Sequence, residues 1–161
     1  MSDQTKAQLD GYFKKSGGYK TLLEREPSWS EQMLTGKISD YLRENHPSIP
    51  FQVDMSGEAL SKSAATRSSK NRAGLFKMPD LTIYVKKGKY GCLMLELKNL
   101  SAHPLRLDGK LKKNEHIELQ ASSIIWLREH GQMADFSVGY VETIKKINDY
   151  LSTGQIDLTF K

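Results

Sequence analysis

Apolar residues recur every three to four positions in three segments of the chain, and this spacing is typical of amphipathic helices. The three predicted helices cover residues 28–45, 116–131 and 142–154. Serines at the start of the first helix can serve as N-caps, and Gly131 ends the second. A further short helix is predicted over residues 3–15. The residues between the long helices follow a different pattern.

Short apolar runs and alternating apolar and polar residues predict β-strands between the helices. They lie at 50–55, on both sides of a turn at Gly88 within 78–100, and at 134–141, and an edge strand is expected at 155–160. One face of the 134–141 strand is expected to present Phe136, Val138 and Tyr140. The order α-β-β-β-α-β-α predicts an α/β fold with a small mixed central sheet flanked by helices.

The predicted hairpin carries charged residues on strands that are otherwise apolar. Alternate residues of a strand face opposite sides of the sheet, so a slip of one residue would turn the whole apolar set to the wrong side. The register that matches apolar residues to each other pairs Leu81 with Leu95. The same register places Asp80 beside Glu96, with Lys98 one step along on the same face. Two carboxylates and an amine are therefore expected at one end of the hairpin.

Such a group has two interpretations. Neighbouring carboxylates repel each other and raise one pKa unless a cation lies between them. Lys98 can be that cation, and the group is then a salt-bridged strand end. The alternative is a bound divalent ion, because Mg²⁺ takes oxygen ligands, commonly one or two carboxylates together with substrate phosphate and water. The spacing alone leaves both open.

Composition narrows the class of protein. The chain has 161 residues, of which 38% are hydrophobic, and this suits one domain with an added arm. A single cysteine excludes an internal disulfide and a cysteine-based zinc site. No apolar run approaches the roughly 20 residues of a membrane span. The first ten residues do not resemble a signal peptide. We therefore expect a cytoplasmic protein without a membrane partner.

Positive charge is concentrated in two loop-like stretches, near 57–77 and 100–116, although the net charge is only +5. Such clusters can neutralise nucleic-acid phosphates, or they can be solvated loops that keep the protein soluble. Charge alone does not decide between these interpretations. The candidate phosphate contacts are Lys62, Arg67, Lys70, Arg72 and Lys77 in the first stretch, and Arg106, Lys110, Lys112 and Lys113 in the second.

The sequence PD at 79–80, followed by ELK at 96–98, resembles the PD-(D/E)XK nuclease superfamily, and the chain is most similar to its VRR-NUC branch of phage or bacterial type. An acid-bearing first helix, a glycine before the PD pair, a glutamine-bearing helix, a strand and a closing helix follow the same order. Together these parts cover 28–151. The resemblance implies a restriction-endonuclease-like core in a nuclease domain at 28–161, preceded by a helical extension at 1–27.

The resemblance also implies roles for the charged residues. Asp80 and Glu96 would bind Mg²⁺ or Mn²⁺, with the Leu97 backbone carbonyl as a third ligand. Lys98 would position or deprotonate the attacking water, or stabilise charge on the phosphate. Glu31 would add a carboxylate to the metal cluster, although a glutamate in the first turn of a helix is also explained by the helix dipole.

Gln120 is predicted to share the apolar face of its helix with Ile117, Ile124 and Leu127. A glutamine in such a place needs a hydrogen-bonding partner. The resemblance implies that it points into the site and orients Lys98, water or phosphate. A boundary glutamine bonded to backbone is the alternative. The four histidines show no metal-ligand spacing and are predicted to be surface residues; for His103 and His116, in or beside the second basic stretch, a phosphate contact is the alternative.

The leading hypothesis is a metal-dependent endonuclease that hydrolyses DNA phosphodiester bonds and is selective for branched or junction DNA. The resemblance implies a homodimer with two sites for two strands. One alternative is a non-catalytic DNA-binding module of a phage or bacterial DNA-processing complex, in which the carboxylates are structural. Another is a protein-interaction domain that uses its N-terminal helix.

Overall fold

The structure is a computed structural model that describes residues 27, 29–54 and 76–160. The predicted extension, its helix, and most of the first basic stretch lie outside the described residues. Within the described part, no helix is both long enough and apolar enough to cross a lipid bilayer. In chain order the elements are α1 (Glu31–Asn45), β1 (Phe51–Val53), β2 (Leu81–Ile83), β3 (Leu93–Lys98), a short 3-10 helix (Leu100–Ala102), α2 (Glu115–Glu129), β4 (Met133–Val138) and α3 (Gly139–Thr153).

The four strands form one mixed sheet in the order β1-β2-β3-β4. Strands β1 to β3 are antiparallel neighbours, whereas β3 and β4 are parallel. Helix α2 makes the connection between β3 and β4, since parallel neighbours need a long crossover. The predicted small mixed sheet flanked by helices is therefore the observed architecture.

The register of the central hairpin is the predicted one. Leu81 pairs with Leu95, and Ile83 pairs with Leu93. All six residues of β3 are buried, because this strand is covered on both faces and has a neighbour on each side. The hydrophobic matching that fixes the register also fixes which charged residues meet at the end of the hairpin.

Two hydrophobic clusters cover opposite faces of the sheet. The odd-numbered leucines of β3 pack with residues from α1 and α3. Met94, an even-numbered residue, packs with Ala121, Ile124 and Leu127 from α2 and with Phe136 from β4. Even-numbered residues of β3 therefore point toward α2, so any charged group among them must find its partners on that helix or at the strand end.

Two predictions near the C-terminus are wrong. Strand β4 ends at Val138, and Tyr140 lies in α3 and packs edge-on against Trp29 rather than alternating along a strand. Gly139 begins the helix with a φ of 75°, a left-handed conformation that favours glycine and turns the chain away from the sheet. Residues 155–160 form no strand either.

The C-terminal segment instead binds a buried aspartate. Asp135 on β4 is fully buried, and its carboxylate accepts hydrogen bonds from the backbone N–H groups of Thr159 and Phe160 at 2.6 and 3.1 Å. Arg128 from α2 and Lys146 from α3 donate to the same carboxylate at 2.8 and 2.6 Å. Side-chain recognition replaces the expected strand pairing, and nothing in the local sequence pattern indicates it.

Candidate active site

Asp80 and Glu96 meet because of the strand parity described above. Asp80 directly precedes β2, and its backbone carbonyl accepts a hydrogen bond from the Asp54 N–H at 2.7 Å. Its side-chain Oδ2 accepts a hydrogen bond from the Leu97 N–H at 2.9 Å. The carboxylate is therefore held against the backbone of β3, next to the residue that follows Glu96.

Glu96 is almost completely buried and is surrounded by donors. Its Oε1 accepts hydrogen bonds from the Lys98 ammonium at 2.9 Å and from the Gln120 amide. The Lys77 ammonium lies 3.9 Å from the same oxygen. Lys98 reaches Glu96 because the two residues share a face of β3, and Gln120 reaches it because α2 covers that face. The predicted ion pair at the strand end is thus present.

The ion pair between Lys98 and Glu96 does not return the pKa of the neighbouring Asp80 to its ordinary value. Burial and, next in size, the Glu96 carboxylate raise the pKa of Asp80 to about 7. The Leu97 N–H and the ammonium groups of Lys98 and Lys77 act in the opposite direction, but they do not cancel these two effects. Burial and the neighbouring carboxylate therefore both disfavour the charged form of Asp80 in the folded site, and a bound cation would favour it.

These groups open into a cavity of about 490 Å³. Glu31 reaches it from the first turn of α1, where Ser30 caps the helix by accepting a hydrogen bond from Met33 N–H at 3.2 Å. The charged and polar residues that line the cavity are Glu31, Lys77, Asp80, Glu96, Lys98, His103, Lys112, Asn114 and His116. Four of the five side chains predicted to be catalytic line it, and the fifth, Gln120, donates to Glu96.

The side-chain oxygen of Gln120 is buried without a hydrogen-bond partner among the described residues. The residue is 1% exposed, and this oxygen is Oε1. Leaving a buried acceptor unpaired costs about 1–3 kcal/mol. The amide nitrogen donates to Glu96 and lies 3.1 Å from His116 Nε2. Gln120 thus lies at the site as expected, but its protein partners are Glu96 and His116 rather than Lys98.

His116 is exposed, as predicted, but it also lines the cavity and contacts two residues of the site, which the sequence analysis did not predict. Its Nε2 lies 2.8 Å from the Lys77 ammonium, in addition to the contact with Gln120. Burial and, next, the charges of Lys77 and Lys98 lower the pKa of His116. Both neighbours are donors, so Nε2 acts as the acceptor and Nδ1 carries the proton. The spacing of four residues between His116 and Gln120 on one helix is a signal that could have identified it.

The donor set suits a hard divalent cation. Among residues 29–54 and 76–160, no three His, Cys, Asp or Glu side chains come together closely enough to hold a metal ion by themselves. Glu31 therefore lines the cavity without completing a cluster of three acids. Two carboxylates beside a cavity nevertheless fit Mg²⁺, which commonly takes one or two carboxylates and completes its shell with phosphate and water. Gln120, whose buried Oε1 has no hydrogen-bond partner among the described residues, supports the site through the bond from its amide nitrogen to Glu96.

The predicted phosphate contacts are divided between the cavity and its surroundings. Lys77 and Lys112 line the cavity. Arg106 forms an exposed ion pair with Asp108, and Lys110 and Lys113 are exposed on the same stretch. The remaining predicted contacts lie outside the described residues: Lys62, Arg67, Lys70 and Arg72.

A solved structure described as a VRR_NUC domain protein is similar to this chain, with a TM-score of 0.54 and 17% sequence identity. The alignment covers 84% of this chain and 99% of that chain. No protein-family model matches the sequence, and no curated protein matches it. At this identity the likeness shows the fold alone. It confirms the predicted α/β core, and it supports the resemblance to the VRR-NUC branch at the level of the fold.

Proposed function

We propose that this protein is a metal-dependent endonuclease that hydrolyses DNA phosphodiester bonds. The observation that carries the proposal is the placement of Asp80, directly before β2, and Glu96, on the neighbouring strand β3, in one cavity with Lys98. Each carboxylate uses one oxygen in a protein hydrogen bond, with Leu97 N–H for Asp80 and with Lys98 for Glu96. Both are therefore fixed in orientation before any ligand arrives, as a catalytic site requires.

Each residue of the site has its own role in the proposed mechanism. Asp80 and Glu96 would hold Mg²⁺ or Mn²⁺, and the bound ion would polarise the scissile phosphate and lower the pKa of a water molecule. Lys98 would stabilise the charge that develops on the phosphate, since its ammonium lies at the cavity wall. Gln120 would keep the Glu96 carboxylate in place. Glu31 would act from the cavity rim through water.

Lys77 and Lys112 would hold the DNA backbone beside the reacting phosphate. Such contacts neutralise phosphates without reading bases, so we expect binding that weakens with salt and depends little on sequence. Selectivity for branched DNA, a homodimer, and a cytoplasmic role in a phage or bacterial setting complete the proposal. These parts rest on the resemblance and on the sequence.

The test is a cleavage assay with supercoiled plasmid and with synthetic junction, flap and duplex DNA, each in Mg²⁺, Mn²⁺ or EDTA. Wild-type protein is expected to cut in either metal and to be inactive in EDTA. Asp80→Asn and Lys98→Ala are each expected to reduce the rate at least ~100-fold, because each removes charge from the reacting centre. Lys145→Ala is the matched control, since this lysine pairs with Asp149 and does not line the cavity.

Two results would contradict the proposal. Cleavage that persists in EDTA, or in both Asp80→Asn and Lys98→Ala, would exclude the metal mechanism. Salt-dependent DNA binding that is retained in Asp80→Ala, with no cleavage by wild-type protein in either metal, would favour the non-catalytic DNA-binding module.

A further inference from the structure

Residues 104–112 form a tight hairpin, here called the Leu107 hairpin, immediately before α2. Leu105 and Leu111 form an antiparallel bridge at its base, and Arg106 N–H donates to Lys110 C=O at 2.8 Å. Gly109 N–H donates to Arg106 C=O at 3.0 Å, and Gly109 has a φ of 77°. This is the geometry of a type I turn followed by a glycine bulge.

The base of the hairpin is fixed to the rest of the protein. Pro104 is buried, and its carbonyl accepts a hydrogen bond from Lys112 N–H at 2.9 Å. Leu111 packs against the hydrophobic cluster under α2. Near the tip, Asp108 accepts a hydrogen bond from Lys110 N–H at 3.1 Å and pairs with Arg106 at 3.1 Å. The hairpin is therefore a braced projection with a defined tip.

Leu107, at the tip of the hairpin, is an unusual residue for a turn. Turn centres usually carry Gly, Pro, Asn, Asp or Ser, and leucine contributes nothing to this turn. Leu107 is 111% exposed relative to its reference value, which is the highest value among the large hydrophobic residues that the structure describes. Single exposed apolar residues are common on protein surfaces. Here, however, the leucine lies at the tip of a hairpin whose base is hydrogen-bonded and packed, and it belongs to neither hydrophobic cluster.

The surroundings of Leu107 indicate its partner. Arg106, Lys110, Lys112 and Lys113 all lie within about six positions of it in the chain, and Asp108 is the one carboxylate between residues 104 and 113. Lys112 also lines the cavity that contains Asp80 and Glu96. An apolar residue flanked by cations matches the composition of a nucleic acid, in which stacked bases lie between charged phosphates. A DNA strand held in the cavity would therefore pass beside this hairpin.

We propose that the Leu107 hairpin is a wedge that inserts Leu107 into an opened base step, while the flanking cations bind the neighbouring phosphates. Separating stacked bases costs a few kcal/mol per step in regular duplex, and less where stacking is already interrupted. The wedge would therefore select branch points and distorted duplexes over regular DNA. It takes the DNA substrate from the proposed function, and it supplies a physical basis for structure selectivity.

The test measures binding in EDTA, so it does not depend on cleavage. The probes are a four-way junction with 2-aminopurine beside the branch point and a regular duplex with the same fluorophore. Wild-type protein is expected to raise the junction fluorescence and to bind the junction about tenfold more tightly, a difference of about 1.4 kcal/mol. In Leu107→Ser the fluorescence rise should be lost and the preference should fall to about twofold, with duplex affinity unchanged, because phosphate contacts dominate that affinity.

Ile125→Ser is the matched control, because Ile125 is also an exposed apolar residue but lies on α2, outside the Leu107 hairpin. It is expected to behave as wild type. Retained fluorescence and preference in Leu107→Ser would overturn the wedge, as would a wild-type protein that leaves the fluorophore stacked. Loss of binding to vesicles of equal parts phosphatidylcholine and phosphatidylserine, with unchanged DNA binding, would assign the hairpin to membranes instead.

The assay separates the two proposals. A wild-type protein that passes the binding test but never cuts DNA in Mg²⁺ or Mn²⁺ overturns the nuclease and leaves the wedge. A protein that cuts junctions with the same selectivity before and after Leu107→Ser overturns the wedge and leaves the nuclease. If the wild-type protein binds neither DNA, both proposals fail.

Discussion

Two clusters of buried charge lie in adjacent strands of the same sheet, one around Asp135 on β4 and one around Glu96 on β3. Every oxygen of the Asp135 carboxylate is occupied: Oδ1 accepts from Arg128 and the Phe160 N–H, and Oδ2 accepts from Lys146 and the Thr159 N–H. The cluster around Glu96 has two carboxylates that repel each other, an amide oxygen with no partner in the described structure, and a cavity beside them.

The difference distinguishes a cluster with a structural role, around Asp135, from a candidate catalytic cluster, around Glu96. A buried charge that has all its hydrogen bonds is compensated by its partners, and it connects the segments that supply the donors. A cluster with repulsion and an unpaired acceptor stores free energy that a ligand can release. Burial of charge is therefore not by itself a sign of function. What indicates function is a group of buried charges that lack some of their hydrogen bonds or repel each other and that lie next to a cavity.

The largest expected effect is on the structural cluster. Asp135→Ala leaves the buried Lys146 and the half-buried Arg128 without their shared partner, so the free energy of unfolding should fall by about 3–5 kcal/mol. Urea denaturation would measure it. Lys145→Ala, which breaks an exposed pair with Asp149, should cost less than ~1 kcal/mol. Similar losses in both variants would show that the Asp135 cluster does not connect the C-terminal segment to the sheet.

The next effect is on cleavage rate. Gln120→Leu removes the amide that holds Glu96, and changes of such supporting residues typically lower activity about 10–100-fold. The free energy of unfolding should change by less than ~1 kcal/mol, because the lost hydrogen bonds are offset by removal of the unpaired oxygen. Gln132→Leu makes the same chemical change outside the cavity. If the Gln120→Leu variant cuts DNA at the wild-type rate, Gln120 has no role in cleavage.

A smaller effect with the opposite sign is expected from Asp80→Asn. The pKa of Asp80 is raised, so the wild-type protein loses stability as pH rises from the unfolded-state value near 4 through about 7. Asparagine can still accept the Leu97 N–H but carries no charge. In EDTA near pH 8 the variant should be more stable by roughly 1–2 kcal/mol, and the gain should vanish below about pH 4. Thermal melts across this range would check it.

A pH-independent gain, or a loss, would show that the folded protein does not raise the pKa of Asp80. The matched comparison is Asp135→Asn, which should be destabilising at the same pH because that carboxylate has cationic partners on both oxygens. Opposite signs for the two substitutions are what the contrast between the clusters predicts.

The smallest expected effect is on salt dependence. Lys112 lines the cavity and is proposed to contact one phosphate, so Lys112→Ala should reduce the slope of log K against log salt by about 0.9 for duplex DNA. Fluorescence anisotropy at several salt concentrations would measure the slope. Lys145→Ala should leave it unchanged, and an unchanged slope in Lys112→Ala would remove this lysine from the DNA path.

The sequence predicted the centre of the site because the relevant rule is local. Alternation along β3 put Glu96 and Lys98 on one face, and matching of apolar residues fixed the register that brought Asp80 beside them. Helical spacing placed Gln120 on the face that α2 turns to the sheet. These patterns operate over a few residues, and the hydrophobic core enforces them.

The sequence failed where contacts join distant segments through polar groups. The predicted strand at 155–160 is instead a segment whose N–H groups bind Asp135, more than twenty positions earlier. No periodicity encodes such a bond, because its geometry depends on how α2, α3 and β4 pack. The contacts of His116 were not predicted for a related reason, since its partners Lys77 and Gln120 come together only after α2 docks.

By itself, then, the sequence determined the order of the elements, the register of the central hairpin and the acid pair with its lysine, since side-chain alternation and hydrophobic burial act strand by strand. Tertiary structure alone decided which buried charges are fully satisfied, which one remains repulsive, and that Leu107 stands exposed on a braced turn. These properties depend on neighbouring groups from several helices and strands, so they exist only when those elements have packed together.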